Sequence, residues 1–235
     1  MDVEIKHSPA FAVARLKLRA GEVANVEAGA MYQQSSGIVV ESKMEGGLFG
    51  AAKRALLSGD SFFVSKFSAP QGGWVDVVPN LAGDVIVADI GPSSPLILTK
   101  GVWLASDTTV NLDAKFGNAG TFFGGEGAFL VKATGHGKIV MAAYGAMDVS
   151  SLAAGETITV DTGHLVAYED TCNVRIRKIA KGIFGSIKSG EGLVMDITGP
   201  GDVITQTRNP KAFASWITSL MPSSGGSGGG FSIGG

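Results

Sequence analysis

Three constellations would give this chain chemistry: a nucleophile with a base beside it, a metal-ligand cluster, or a glycine loop that cradles phosphate. The nucleophile would be Cys172, the single cysteine. It stands between Thr171 and Asn173 in a strand-like stretch. No Gly-x-Ser-x-Gly elbow and no Cys-His signature surrounds it. Those surroundings predict a buried, unreactive thiol. The three histidines, His7, His136 and His164, share no ligand spacing, and there is no cysteine pair. Turn histidines of this kind are expected to be solvated. Gly120-Thr121-Phe122-Phe123-Gly124-Gly125-Glu126-Gly127 has the glycines of a phosphate loop but no Lys-Ser/Thr after them. Gly182, Gly185 and Gly190 lack the strand-then-helix setting of a dinucleotide site. Both stretches read as turns. The expectation is a protein that is not an enzyme, with no metal and no cofactor.

Acidic residues give the remaining chemical option. Glu22, Asp84 and Glu156 each follow a glycine, and so do Asp60, Glu126 and Glu191. Three carboxylates converging on one axis would hold a hard cation. Acids at Gly-rich turns more often accept a turn hydrogen bond or face water, and that is the expectation for these six.

The spacing of those acids exposes the organisation of the chain. Leu18…Gly21-Glu22…Gly29 returns as Leu81…Gly83-Asp84…Gly91 and as Leu152…Gly155-Glu156…Gly163. Val23 and Val26, Val85 and Val87, and Ile158 and Val160 follow the acids, the β-branched alternation of strands. A second pattern, Gly-acid followed by apolar residues, begins at Gly59, Gly125 and Gly190, its acids 66 and 65 residues apart. A third is a glycine turn into a strand, at Gly72-Gly73-Trp74, Gly135-His136-Gly137 and Gly199-Pro200-Gly201. The same order three times predicts three internal repeats of about 65 residues, roughly 1–80, 81–150 and 151–209. Short strands with regular turns predict a mainly β sandwich or barrel, its repeats in pseudo-threefold arrangement. Residues 1–222 then form one β domain.

The chain's end changes character. Asn209-Pro210 is a helix start, with Asn capping and Pro at the first position. Phe213, Trp216, Ile217 and Leu220 fall on one helical stripe, so a helix over 210–221 is expected to pack on the β body through that stripe. Residues 223–235 read as a flexible Gly/Ser tail.

Composition narrows function mainly by exclusion. The 235 residues are 45% hydrophobic and 17% charged, with 35 glycines and a net charge of −2. That balance is too apolar for disorder, and the glycines show no collagen triplet. An isoelectric point near 5.9 argues against nucleic acid as a partner. The mixed-charge start, Met1-Asp2-Val3-Glu4-Ile5-Lys6, is not a secretory signal, and no apolar run approaches the ~18 residues of a membrane helix. The expected location is the cytoplasm.

Three segments preceding the second pattern stand out. The first carries Leu48, Phe49, Lys53 and Arg54; the second Phe122 and Phe123; the third Lys181, Phe184 and Lys188. From Thr171 to Gly190 there is no acid and there are five cations. Repeat equivalence would gather these segments at one end of the body, as an interaction patch. Its expected partner is a second copy of the chain or another protein. A basic, apolar rim also suits an anionic membrane surface.

Gly46-Gly47-Leu48-Phe49-Gly50…Lys53-Arg54…Gly59-Asp60-Ser61-Phe62-Phe63, with Gly190-Glu191-Gly192-Leu193 and Gln206-Thr207-Arg208-Asn209-Pro210, closely resembles the altered-inheritance-of-mitochondria family. The resemblance spans about residues 1 to 222. It implies a TRAP-like β fold of three pseudo-repeats, related to the tryptophan RNA-binding attenuation protein. It implies bacterial relatives without established activity, and mitochondrial members linked to inner-membrane organisation. It brings no catalytic residues. Together these readings favour a non-enzymatic binding or scaffold protein, oligomeric and peripherally membrane-associated. A small-ligand or RNA binder, by analogy with the fold, is the alternative.

Overall fold

A computed structural model describes residues 1–43, 64–115, 130–178 and 193–221. The described residues are mainly β and antiparallel, with one α-helix among them, near the end of the chain. The first strands are β1 (Asp2–Lys6), β2 (Val13–Leu18), β3 (Glu22–Glu27), β4 (Met31–Gln34), β5 (Val39–Lys43), β6 (Val64–Ala69) and β7 (Gly73–Val77). Next come β8 (Val85–Ile90), β9 (Leu96–Thr99), β10 (Trp103–Asp107), β11 (Val110–Lys115), β12 (Leu130–Gly135) and β13 (Gly137–Ala142). The last are β14 (Met147–Leu152), β15 (Thr157–Asp161), β16 (Leu165–Glu169), β17 (Asn173–Lys178), β18 (Leu193–Thr198) and β19 (Gly201–Gln206), followed by α1 (Pro210–Leu220). Ser150, at which the sequence division between second and third units falls, lies inside β14.

One pairing scheme recurs along the chain. In the first set β7 lies between β2 and β4, and β6 between β3 and β5. Next, β13 lies between β8 and β10, and β12 between β9 and β11. Last, β19 lies between β14 and β16, and β18 between β15 and β17. A register shift sits at the same place each time, between Met31 and Gln33, Trp103 and Ala105, and Leu165 and Ala167. A bulge bends a strand and re-aims its side chains, so recurrence at one register marks a shared local shape. Sets join edge to edge: β3 pairs β10, and β9 pairs β16, giving two six-stranded sheets. A four-stranded sheet β1-β2-β7-β4 and a three-stranded sheet β15-β18-β17 complete the body. Among the described residues no sheet closes on itself, so the body is a stack of open sheets rather than a barrel.

Three apolar cores fill the spaces between sheets. The first joins Leu16, Leu18, Val75 and Val77 to Val26, Phe67 and Leu104. The second holds Leu98, Trp103, Ile139, Met141 and Val166, and the third Ile97, Leu165, Met195 and Ile197. Alternation places Ile139 and Met141 in the second core and Val140 and Ala142 in the first, so β13 is buried on both faces. Fully burying an aliphatic side chain of this size contributes about 1.5–3 kcal/mol.

Each core is entered through a tight corner, where β6 turns into β7, β12 into β13, and β18 into β19. The strand after the corner starts with Gly73, Gly137 or Gly201. At Gly137 φ is +124°, and a Cβ there would stand 2.8 Å from the Asp107 carboxylate, so only glycine fits. The glycine-turn pattern of the sequence is this corner.

The first sequence pattern is corrected. Glu22 and Glu156 close the turns before β3 and β15. Glu22 Oε2 accepts the Arg19 N–H at 2.8 Å, and Glu156 Oε2 accepts the Ala153 N–H at 2.9 Å. The matching acceptor in the middle set is not Asp84 but Ser94, whose Oγ accepts the Gly91 N–H at 3.1 Å ahead of β9. Asp84 instead precedes β8 and accepts from the Ser8 hydroxyl and the Val85 N–H. A serine can replace an acid as turn acceptor, and the sequence match slid to the nearest Gly-acid pair. These carboxylates therefore serve separate turns. Asp60, Glu126 and Glu191 lie outside the described residues.

Candidate functional site

All nine residues of the expected interaction patch lie outside the described residues: Leu48, Phe49, Lys53, Arg54, Phe122, Phe123, Lys181, Phe184 and Lys188. The strands that carry them are described. Each segment links an antiparallel pair, β5 to β6, β11 to β12, and β17 to β18. The outer strand of each pair ends on a lysine: Lys43 opposite Val64, Lys115 opposite Leu130, and Lys178 opposite Leu193. Within the same pairs, opposite charges face across the ladder: Glu41 and Lys66, Asp113 and Lys132, Arg175 and Asp196. Cross-strand charge pairs of this kind help hold register in the described strands.

The helix is the second element. Asn209 caps it, its side chain accepting the Lys211 and Ala212 N–H groups at 2.9 and 3.2 Å. Gln206, 7% exposed, anchors the strand before it: its Oε1 accepts the Tyr144 N–H, and its Nε2 donates to the Gly163 carbonyl. His164 Nδ1 lies 2.8 Å from the Gln206 carbonyl, so this histidine is tied into the latch rather than solvated. The segment Gln206-Thr207-Arg208-Asn209-Pro210 thus acts as a structural joint that aims the helix.

The helix does not pack as its stripe led one to expect. Phe213 meets Tyr144 with ring centroids 5.6 Å apart, and Phe213 and Ile217 are half-buried. Trp216 is 56% exposed and Leu220 64%, with Met221 beyond them at 62%. No residue of α1 is buried. The helix meets the body through Phe213, Ile217 is half-covered, and Trp216 and Leu220 face solvent. No sequence signal separates a stripe that packs from one that protrudes.

Several titratable groups among the described residues are tied into the fold. Asp76, its side chain 1% exposed, accepts two hydrogen bonds from Arg15 at 2.7 and 2.8 Å and one from Gln33 at 2.7 Å. Burial alone would raise its pKa; those hydrogen bonds outweigh burial and hold it below the usual carboxylate range. Arg15 also lies over the Trp74 ring, 3.7 Å from its centroid. Asp196 accepts from Arg177 and Thr159. Cys172 is half-buried rather than fully enclosed, and its Sγ lies 3.7 Å from the Pro200 carbonyl. Burial, then the carboxylates of Glu169 and Asp202, raise its pKa and keep the thiol protonated. Burial pushes Glu27 up to about 7. Among the described residues no group of three or more His, Cys, Asp or Glu side chains is arranged to hold a metal ion. A shallow groove lined by Asp2, Lys17, Arg19, Glu22 and Lys138 is polar and open.

Residues 3–208 match the family model described as mitochondrial biogenesis AIM24. The chain belongs to that family. It is 27% identical over 232 residues to an uncharacterised protein of Streptococcus pyogenes serotype M6, covering 95% of this chain and 92% of that one. A crystal structure of a Streptococcus pyogenes protein superposes with a TM-score of 0.76 at 24% identity, covering 94% of this chain and 99% of the other. That likeness establishes the fold. Among the described residues of this AIM24-family chain, no helix is long and apolar enough to cross a membrane.

Proposed function

We propose that this AIM24-family protein is a non-enzymatic binding or scaffold protein that docks peripherally on an anionic membrane surface. One observation carries the reading: Trp216 and Leu220 of α1, with Met221 just after it, are offered to solvent on an anchored helix. Such residues gain by entering a headgroup boundary, and tryptophan suits that boundary because its ring is apolar and its N–H can stay wet. Charge supports the same reading. No acidic residue follows Asp202, while Arg208 and Lys211 flank the helix start. Lys43, Lys115 and Lys178 end the outer strands of the three stems, and the first and third segments add Lys53, Arg54, Lys181 and Lys188. A lysine or arginine near an anionic surface is worth about 1 kcal/mol, falling off within a Debye length.

Vesicle flotation tests the proposal. The protein is expected to float with vesicles containing phosphatidylserine at low salt, to stay behind with phosphatidylcholine alone, and to be released as salt rises. Tryptophan emission should shift to the blue on binding, and Trp216→Ala should remove the shift. No flotation with anionic vesicles at low salt would overturn the reading.

A further inference from the structure

Two strand edges are left over by the rule that joins the sets. The β3–β10 junction places Val26 opposite Ala105, Asn25 opposite Ser106, and Ala24 opposite Asp107. The β9–β16 junction repeats it with Leu98 opposite Ala167, Ile97 opposite Tyr168, and Leu96 opposite Glu169. Each junction joins a strand of the β3 type to the bulged strand of the next set. Of these six strands, β15 at one end of the chain and β4 at the other have no such neighbour among the described residues.

The unused edges are exposed where their counterparts are buried. Trp103 and Leu104 are 3% and 2% exposed, and Leu165 and Val166 are 2% and 0%. Met31 and Tyr32, at the matching places beside the bulge of β4, are 42% and 61% exposed. Asn25 and Ile97 sit inside junctions, whereas their counterpart Thr159 is exposed. The edges also lack the usual protection. The other edge strands, β1, β5, β8, β11, β14 and β17, each carry at least one charged residue, and β4, Met31-Tyr32-Gln33-Gln34, carries none. β15 reads Thr157-Ile158-Thr159-Val160-Asp161, its one charge at the last residue of the strand. Charge and proline are what keep an open edge from pairing, and here neither interrupts the ladder.

We infer that β15 of one copy pairs antiparallel with β4 of a second copy, in the register of the two internal junctions. That register sets Val160 opposite Gln33, Thr159 opposite Gln34, and Ile158 opposite Ser35 of the partner copy. The contact is head-to-tail, so it either closes a ring of chains or propagates. It does not depend on what α1 binds, so failure of vesicle binding leaves it standing, and the reverse.

Disulfide trapping tests the register, in a Cys172→Ser background. A chain carrying Gln34→Cys is mixed with a chain carrying Thr159→Cys and oxidised. Directly opposed strand residues lie within disulfide reach. The expected result is a linked pair at twice the 24.0 kDa chain mass on a non-reducing gel. Mixing Gln34→Cys with Thr157→Cys, two residues out of register, should give several-fold less. Light scattering should show the wild-type protein above one chain's mass, and Thr159→Lys, at an exposed edge position, should return it to one chain with an unchanged unfolding curve. The inference is overturned if the mixed chains do not link, if a chain carrying both cysteines links only within itself, or if the wild-type protein keeps one chain's mass at every concentration.

Discussion

Asp107 accepts the backbone N–H of Lys138 through Oδ2 at 2.7 Å, pinning the corner at which β12 turns into β13. Ser35 does the same for Trp74 at 2.9 Å, and Glu169 for Asp202 at 3.2 Å. Three different side chains fill one role because the role needs only an oxygen at the end of a bulged strand. The glycine beside each N–H lets that oxygen approach. At Gly73 a Cβ would come within 2.5 Å of the Ser35 hydroxyl, and at Gly201 within 2.7 Å of Thr171 Oγ1.

Gly137→Ala should therefore be costly, by at least about 1–3 kcal/mol for the backbone conformation alone. Gly155, at φ +82° with open space around its missing Cβ, should tolerate alanine with about 1 kcal/mol lost. Urea midpoints of the two variants compare the costs, and equal midpoints would contradict the corner's role.

Arg15 stands opposite Asp76 across the β2–β7 ladder, and Gln33 shares the same carboxylate. Asp76→Ala is expected to cost about 1.5–3 kcal/mol in urea unfolding, the range for losing hydrogen bonds to a charged acceptor. Asp196→Ala removes a solvent-accessible pair and should move the urea midpoint much less. Because Asp76's pKa is lowered on folding, its contribution is present above the unfolded carboxylate range and is lost as pH falls below it.

Glu27 has the opposite sign. Its pKa rises to about 7 through burial, so the folded protein holds a proton that the unfolded chain has released. Stability should fall as pH rises from the ordinary glutamate value of 4.5 to about 7, and level off above it. Glu27→Gln should gain about 1–2 kcal/mol at pH 8, a figure reduced for solvent screening at a half-buried site, and nothing near pH 4. Thermal unfolding at the two pH values reads the difference, and a gain independent of pH would refute it.

The exposed side chains of the helix should matter for binding and not for folding. Trp216→Ala and Leu220→Ala should each leave stability within about 0.5 kcal/mol, as exposed substitutions do. Phe213→Ala, which removes the ring meeting Tyr144, should cost about 1 kcal/mol or more and free the helix from the body. Circular dichroism melts set beside vesicle flotation separate the two effects.

Much of the secondary structure was legible in local chemistry. Val23 and Val26, Val85 and Val87, and Ile158 and Val160 lie in strands, and Asn209-Pro210 starts the helix. These features depend on backbone preference and side-chain period, which neighbours along the chain determine. The exchange of Ser94 for an acid was not legible, because a turn acceptor is defined by where its oxygen lies.

The sequence by itself determined that this chain makes short β-strands punctuated by glycine corners, closed by a capped helix. Only the tertiary structure decided which edges pair, that the sheets stay open, and that Trp216 and Leu220 face water while Trp103 and Leu165 do not. The physical reason is range. Period and capping act within a few residues, whereas the burial of a strand edge or helix stripe depends on whether a distant segment arrives to cover it.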